Sequence, residues 1–135
     1  RPLRERLDPQ WATPKTGGNV AEIKNHHAFI HEFARKQYEV HATAKEKGWW
    51  DKPRNDGELL MLMVTELAEA CEALRHGNPP DDKVPQFSGI EAEMADTVIR
   101  IMDFAEARGL RLAEAIEAKS SMNKTRERMH GGKAF

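Results

Sequence analysis

Two pairs of acids stand out by their spacing. Glu66 and Glu69 are three residues apart, and so are Glu93 and Asp96. On a helix this spacing stacks both side chains on one face. At about 100° per residue, Leu59, Leu62, Met63, Ala70 and Ala73 fall within about 60° of Glu66, which places that acid inside an apolar arc. Glu69 lies one turn on, beside the same face. Glu93 is flanked on its helical wheel by Ile90, Ile101 and Phe104, whereas Asp96 lies toward a polar edge near Asp103. A carboxylate buried without a partner is costly, so it takes up a proton, finds a cation or opens onto water. If the two helices pack antiparallel, four carboxylates converge across their interface and repel one another. A hard divalent cation relieves that repulsion. Mg²⁺ accepts carboxylate oxygens and keeps waters and substrate phosphates as its other ligands. The plain alternative is a pair of charged helices whose acids are solvated at the boundary.

Helices are needed to position these acids, and the punctuation of the chain predicts four. Asn19 is placed to cap a first helix running to about Lys47, with Val20, Ile23, Phe29 or Ile30, Phe33 and Val40 at helical spacing and Gly48 as its stop. An aromatic connector follows, Trp49-Trp50-Asp51-Lys52-Pro53. The second helix is expected from Asn55 or Asp56 to Gly77, because both starters are good N-caps and glycine commonly follows a helix end. Prolines 79, 80 and 85 and Gly89 mark residues 78–89 as a loop. Ser88 and Glu91 have the spacing of a capping box for a third helix, Ile90 to Arg108, closed by Gly109. A fourth spans roughly Leu110 to Arg126, with Leu112, Ile116 and Met122 on its inner side. Residues 1–18 read as irregular, 19–130 as one helical domain and 131–135 as a flexible tail. No segment alternates with period two, so the expected class is all-α, a four-helix bundle.

Composition narrows the function. The chain has 135 residues, enough for one domain. Its 21 Lys and Arg against 22 Asp and Glu give a net charge of −1, and no electrostatic case for a nucleic-acid or membrane partner. The longest apolar run, Leu59 to Val64, is far too short to span a bilayer. No charged start followed by an apolar segment is visible near Arg1, so the expected setting is the cytoplasm. One cysteine, Cys71, excludes an intrachain disulfide and a multi-thiolate metal site, and is expected as a small core residue. An apolar share of 39% leaves little core per chain. Apolar residues Met61, Leu62, Met63, Val64 and Leu67 go round much of the second helix, so a homodimer or homotetramer is expected to complete the burial.

The segment Glu66-Leu-Ala-Glu69 followed by Glu93-Met-Ala-Asp96 resembles the MazG-like, all-α nucleoside triphosphate pyrophosphohydrolases. Their signature is E-E-x-x-E, a spacer, then E-x-x-D. Here 23 residues separate Glu69 from Glu93, a spacer of the family's length, and Thr65 stands in place of the first glutamate. That position is the one least tied to metal in the family. Lys119-Ser-Ser-Met-Asn123-Lys-Thr-Arg126 is similar to the family's K-x-x-x-N-x-x-R segment, and His130-Gly-Gly-Lys133 to the end of small bacterial and phage members. The resemblance covers about residues 20–133. It implies hydrolysis of an NTP to NMP and pyrophosphate, with Glu66, Glu69, Glu93 and Asp96 holding two or more Mg²⁺ ions, for which Mn²⁺ can substitute. It implies that Lys119 and Asn123 contact the nucleotide, Arg126 less firmly. A carboxylate with an oxygen free of metal takes the proton of the attacking water; Glu69 and Glu72 are both candidates. A related alternative is a phosphoribosyl-ATP pyrophosphohydrolase, and an unrelated one a non-catalytic helical dimerisation module.

Lys119, Asn123 and Arg126 recur along one stripe of the fourth helix, with Leu112 and Ile116, and that stripe is expected to turn inward. Of Trp49 and Trp50, one is expected to stack on a nucleobase and one to plug the first helix against its neighbours. Histidines 26, 27, 31 and 41 lack an H-E-x-x-H pattern and are expected to face solvent. A di-iron bundle needs two Glu-x-x-His motifs, and the chain has one, Glu127 to His130. No glycine-rich phosphate loop is present.

Overall fold

The computed structural model describes residues 20–126. The expected cap Asn19, the irregular stretch 1–18, the Glu127–His130 motif and the tail 131–135 lie outside the described residues. Four helices run through the rest: α1 (Val20–Glu46), α2 (Asp56–Arg75), α3 (Gly89–Ala107) and α4 (Leu112–Lys124). Among the described residues there is no strand, only an isolated bridge between Pro80 and Ser88. The chain divides into two compact units. One is Lys36–Leu110, and the other combines, among the described residues, 20–35 with 111–126.

The helix ends follow local chemistry. The Glu58 backbone N–H donates to Asn55 Oδ1 at 3.1 Å, satisfying one of the unpaired donors at the start of α2. At the start of α3, the Ser88 backbone N–H and hydroxyl both donate to the Glu91 carboxylate, at 2.8 and 2.6 Å. Gly77 and Gly109 adopt φ of 79° and 62° where α2 and α3 stop, the left-handed conformation that glycine reaches without strain.

In the Lys36–Leu110 unit, α2 and α3 form an antiparallel hairpin. At one end Gly89 lies so close to α2 that a Cβ on it would meet the Ala73 Cβ at 2.9 Å, and at the other Arg108 Nε donates to Asp56 Oδ1 at 2.8 Å. Gly89 is therefore the first residue of a helix rather than part of the loop before it, and its missing side chain is what lets the hairpin close. The later half of α1 is tied to α3 by polar contacts. Gln37, only 4% exposed, donates from Nε2 to Glu106 Oε2 at 2.9 Å. Leu59, Ala70, Met102 and Ala105 form the buried apolar part of this unit.

In the other unit, Ile30 and Ala113 are buried, Phe29 and Phe33 meet with ring centroids 5.5 Å apart, and His26 pairs with Glu117. Leu112 and Ile116 are half-buried, but Met122 is 56% exposed, against the expectation that it points inward. Six residues beyond Ile116 is about 240° round the helix, well off that stripe. Cys71 is likewise exposed rather than a core residue, since five residues from Glu66 carry it about 140° away from the packed face of α2.

Candidate metal centre

Residue types alone would make Glu66 a poor core residue, yet it is 6% exposed on the face of α2 that meets α3. The hairpin brings Glu93 opposite it and Glu69 beside it. One carboxylate oxygen from each of Glu66, Glu69 and Glu93 lies within 4.8 Å of the other two. The three differ in access: Glu66 is buried, Glu93 half-buried and Glu69 exposed. Glu93 is held above the ordinary glutamate pKa, first by burial, then by the charge of Glu69, and further by a hydrogen bond and charge from Glu66 and by the charge of Asp96. This is the electrostatic signature of crowded acids short of positive charge.

One cation partly compensates them. Arg100 Nε donates to Glu66 Oε1 at 2.5 Å, with the arginine side chain 31% exposed and the glutamate 7%. Asp96 is not one of the three convergent acids. It is exposed and lines a cavity of about 270 Å³ with Arg100, Trp49, Arg54, Leu59 and Phe104. Hard carboxylate oxygens from two rigid helices suit Mg²⁺ or Mn²⁺, which take one or two carboxylates and fill the remaining positions with water and phosphate oxygen. The residues present therefore fit such an ion, through three acids rather than the four expected.

The two tryptophans of the connector part company. Trp50 Nε1 donates to Asp103 at 2.9 and 3.1 Å, and His41 Nδ1 shares the same carboxylate at 2.7 Å, so Trp50 is fixed to α3. Trp49 is 50% exposed at the cavity, with the guanidinium carbons of Arg54 and Arg100 at 5.6 and 5.7 Å from its ring centroid. Glu72 stands apart from the acid cluster, 3.4 Å from both Arg75 and His76. Lys119, Asn123 and Arg126 are exposed on and just beyond the last turns of α4, against the expectation of an inward stripe. Leu112 and Ile116 use the early part of the helix for packing, and the polar residues follow where packing ends. His27 and His31 face solvent as expected; His41, at 14% exposure, does not, because Asp103 offers it a partner.

Sequence reasoning overlooked Arg100, Asp103 and Gln37. Arg100 had a visible signal: it stands four residues after Asp96 and seven after Glu93, on the acidic stripe of α3. Asp103 and Gln37 had none, since their partners lie 53 to 69 residues away. No protein-family model, curated protein or solved structure matches the chain.

Proposed function

We propose that the protein is a Mg²⁺-dependent nucleoside triphosphate pyrophosphohydrolase that converts (d)NTP to (d)NMP and pyrophosphate, in the manner of the MazG-like enzymes its acidic motif resembles. The observation that carries this reading is the convergence of Glu66, Glu69 and Glu93 from two helices onto one point, beside a cavity with an exposed tryptophan and two arginines. Housekeeping of the cytoplasmic nucleotide pool is the setting it suits.

Mg²⁺ bound there would offset the charge of the triphosphate and lower the pKa of a coordinated water. The chain's residues divide the remaining work. Glu66 is fixed by burial and by Arg100, so it anchors the site. Glu69 is open to solvent and is the better base for the water that attacks the α-phosphorus, because Glu72 is engaged by Arg75 and His76. Trp49 offers a ring face to the base. Lys119, Asn123 and Arg126 enter only through the motif, the cations toward phosphate and Asn123 toward the sugar. On that basis K119A lowers kcat/KM strongly, and N123A raises KM more than it lowers kcat.

The test is pyrophosphate release across canonical and modified NTPs, dNTPs and phosphoribosyl-ATP with Mg²⁺. Release that needs Mg²⁺ and is lost in E66Q supports the proposal; none from any substrate ends it and leaves the dimerisation module. We further infer a homodimer or homotetramer. Leu60, Met61, Val64 and Leu67 on α2 and Met94, Val98 and Ile99 on α3 are each more than two-fifths exposed, a large apolar surface for so charged a chain. Light scattering that returns a monomer at micromolar concentration removes this inference.

A further inference from the structure

The exposed sides of α1 and α2 differ in kind. Along α1, charged residues pair with one another, Arg35 with Glu32 and Lys36 with Glu39, each at 2.9 Å. Along α2 runs an uncharged stripe. Leu60, Val64, Leu67 and Leu74 are 47 to 54% exposed, and Cys71, also exposed, completes the line. Their spacing is four, three, four and three residues, the repeat that keeps one edge of a helix against another helix over two heptads. On the helical wheel the stripe lies about 100° from the buried face of Leu59, Glu66 and Ala70. In a chain with 32% charged residues, an edge this long without charge has the composition of an interface centre rather than of a solvated surface.

Symmetry and charge select the occupant. Apolar side chains at heptad spacing interlock with copies of themselves, and a two-fold axis buries both stripes at once. The helix ends set the direction. The first turn of α2 carries Asp56 and Glu58, and the last turn carries Arg75. Parallel copies would set acid on acid and arginine on arginine, with the two helix dipoles aligned. Antiparallel copies set each acidic turn against the other's basic turn and oppose the dipoles. Bringing Asp56 level with Arg75 of a second copy also brings Leu60 level with Cys71, Val64 with Leu67, and Leu74 with Gly57, where no side chain stands in the way. We propose that α2 is the dimerisation helix, its Leu60–Leu74 stripe packing antiparallel against the same stripe of a second copy. This rests on the homo-oligomer inferred above and is independent of the metal reading.

Two measurements test the seam. In light scattering at micromolar concentration, V64E/L67E should have half the mass of the wild type, with its helices intact by circular dichroism, because two carboxylates cannot be buried there without partners. Mild oxidation of L60C should join most chains into covalent dimers, because the introduced thiol meets Cys71 of the second copy. Wild type and L60C/C71S should stay unlinked. In the antiparallel register, equal positions at these ends of the stripe stand roughly 16 Å apart along the axis, beyond the reach of a disulfide. Cross-linking reads the seam even if V64E/L67E fails to fold. A double variant with the wild-type mass, L60C chains that stay unlinked, or wild-type chains that link through Cys71 alone, as parallel copies would, each overturn the antiparallel seam and leave the oligomer standing. A wild type that is itself a monomer removes the oligomer and the seam together.

Discussion

Helix α3 carries two carboxylate centres about three turns apart, and they are built on opposite principles. Asp103 is surrounded by donors: the Trp50 indole and the His41 ring both reach it, from the connector and from α1. Glu93 is surrounded by acids, with Glu66 and Glu69 at its oxygens and Asp96 adding charge. The first arrangement satisfies a half-buried charge and so holds three segments together. The second leaves charge unsatisfied, which costs stability unless something positive arrives. Donors gathered round one aspartate make a joint, whereas three glutamates crowded together are where the proposed metal site would lie.

The sharpest way to break this contrast is E66Q. Turnover of any triphosphate substrate should fall at least about 100-fold, the size of effect seen when one charge-stabilising group is removed from an active site. Circular dichroism should show the helices intact, and near-normal activity would remove Glu66 from the site. Next, saturating Mg²⁺ should stabilise the wild type by mass action, by about 2.7 kcal/mol at a hundredfold excess over Kd, seen as a higher melting temperature, and should leave the melting temperature of E66Q almost unmoved. D103A belongs to the other centre. It should cost about 2 kcal/mol in urea denaturation, as expected for a carboxylate that accepts hydrogen bonds from partly buried donors, while Mn²⁺ affinity stays close to wild type. A D103A protein as stable as wild type would mean that the joint is no joint.

The smallest effect is on pH dependence. Glu93 titrates above its ordinary value of 4.5 in the folded chain, because burial and neighbouring acids disfavour its charge. In the window from that value upward the folded chain holds more protons than the unfolded one, so metal-free stability is greatest below the window and declines as pH rises through it. E93Q should flatten that decline, and saturating Mg²⁺ should flatten it in the wild type. Urea midpoints measured at several pH values with and without Mg²⁺ check both. A wild-type slope identical to that of E93Q would show that Glu93 carries no such burden.

How much of this was legible beforehand depends on distance along the chain. Caps and stops are local chemistry, and Asn55, Ser88 with Glu91, Gly77 and Gly109 mark the helix ends to within a residue or two. The apolar arc around Glu66 is a property of spacing, and the buried position of that acid followed from it. Cys71 and Met122 lie off the packed stripes and are exposed.

What the sequence by itself determined is therefore the helical class, the ends of the helices and the faces on which Glu66, Glu69 and Glu93 stand. Each of these depends on residues within a few positions of one another, where backbone geometry alone sets who is neighbour to whom. Only the tertiary structure decided that Arg100 holds Glu66, that Asp96 turns to the cavity rather than joining the three glutamates, and that Trp50 is tied to Asp103 while Trp49 stays open. These choices pair groups 34 to 53 residues apart or set one side chain against its next neighbour in the chain. No periodicity encodes them, because they depend on how helices rotate and slide against each other until buried polar groups find partners.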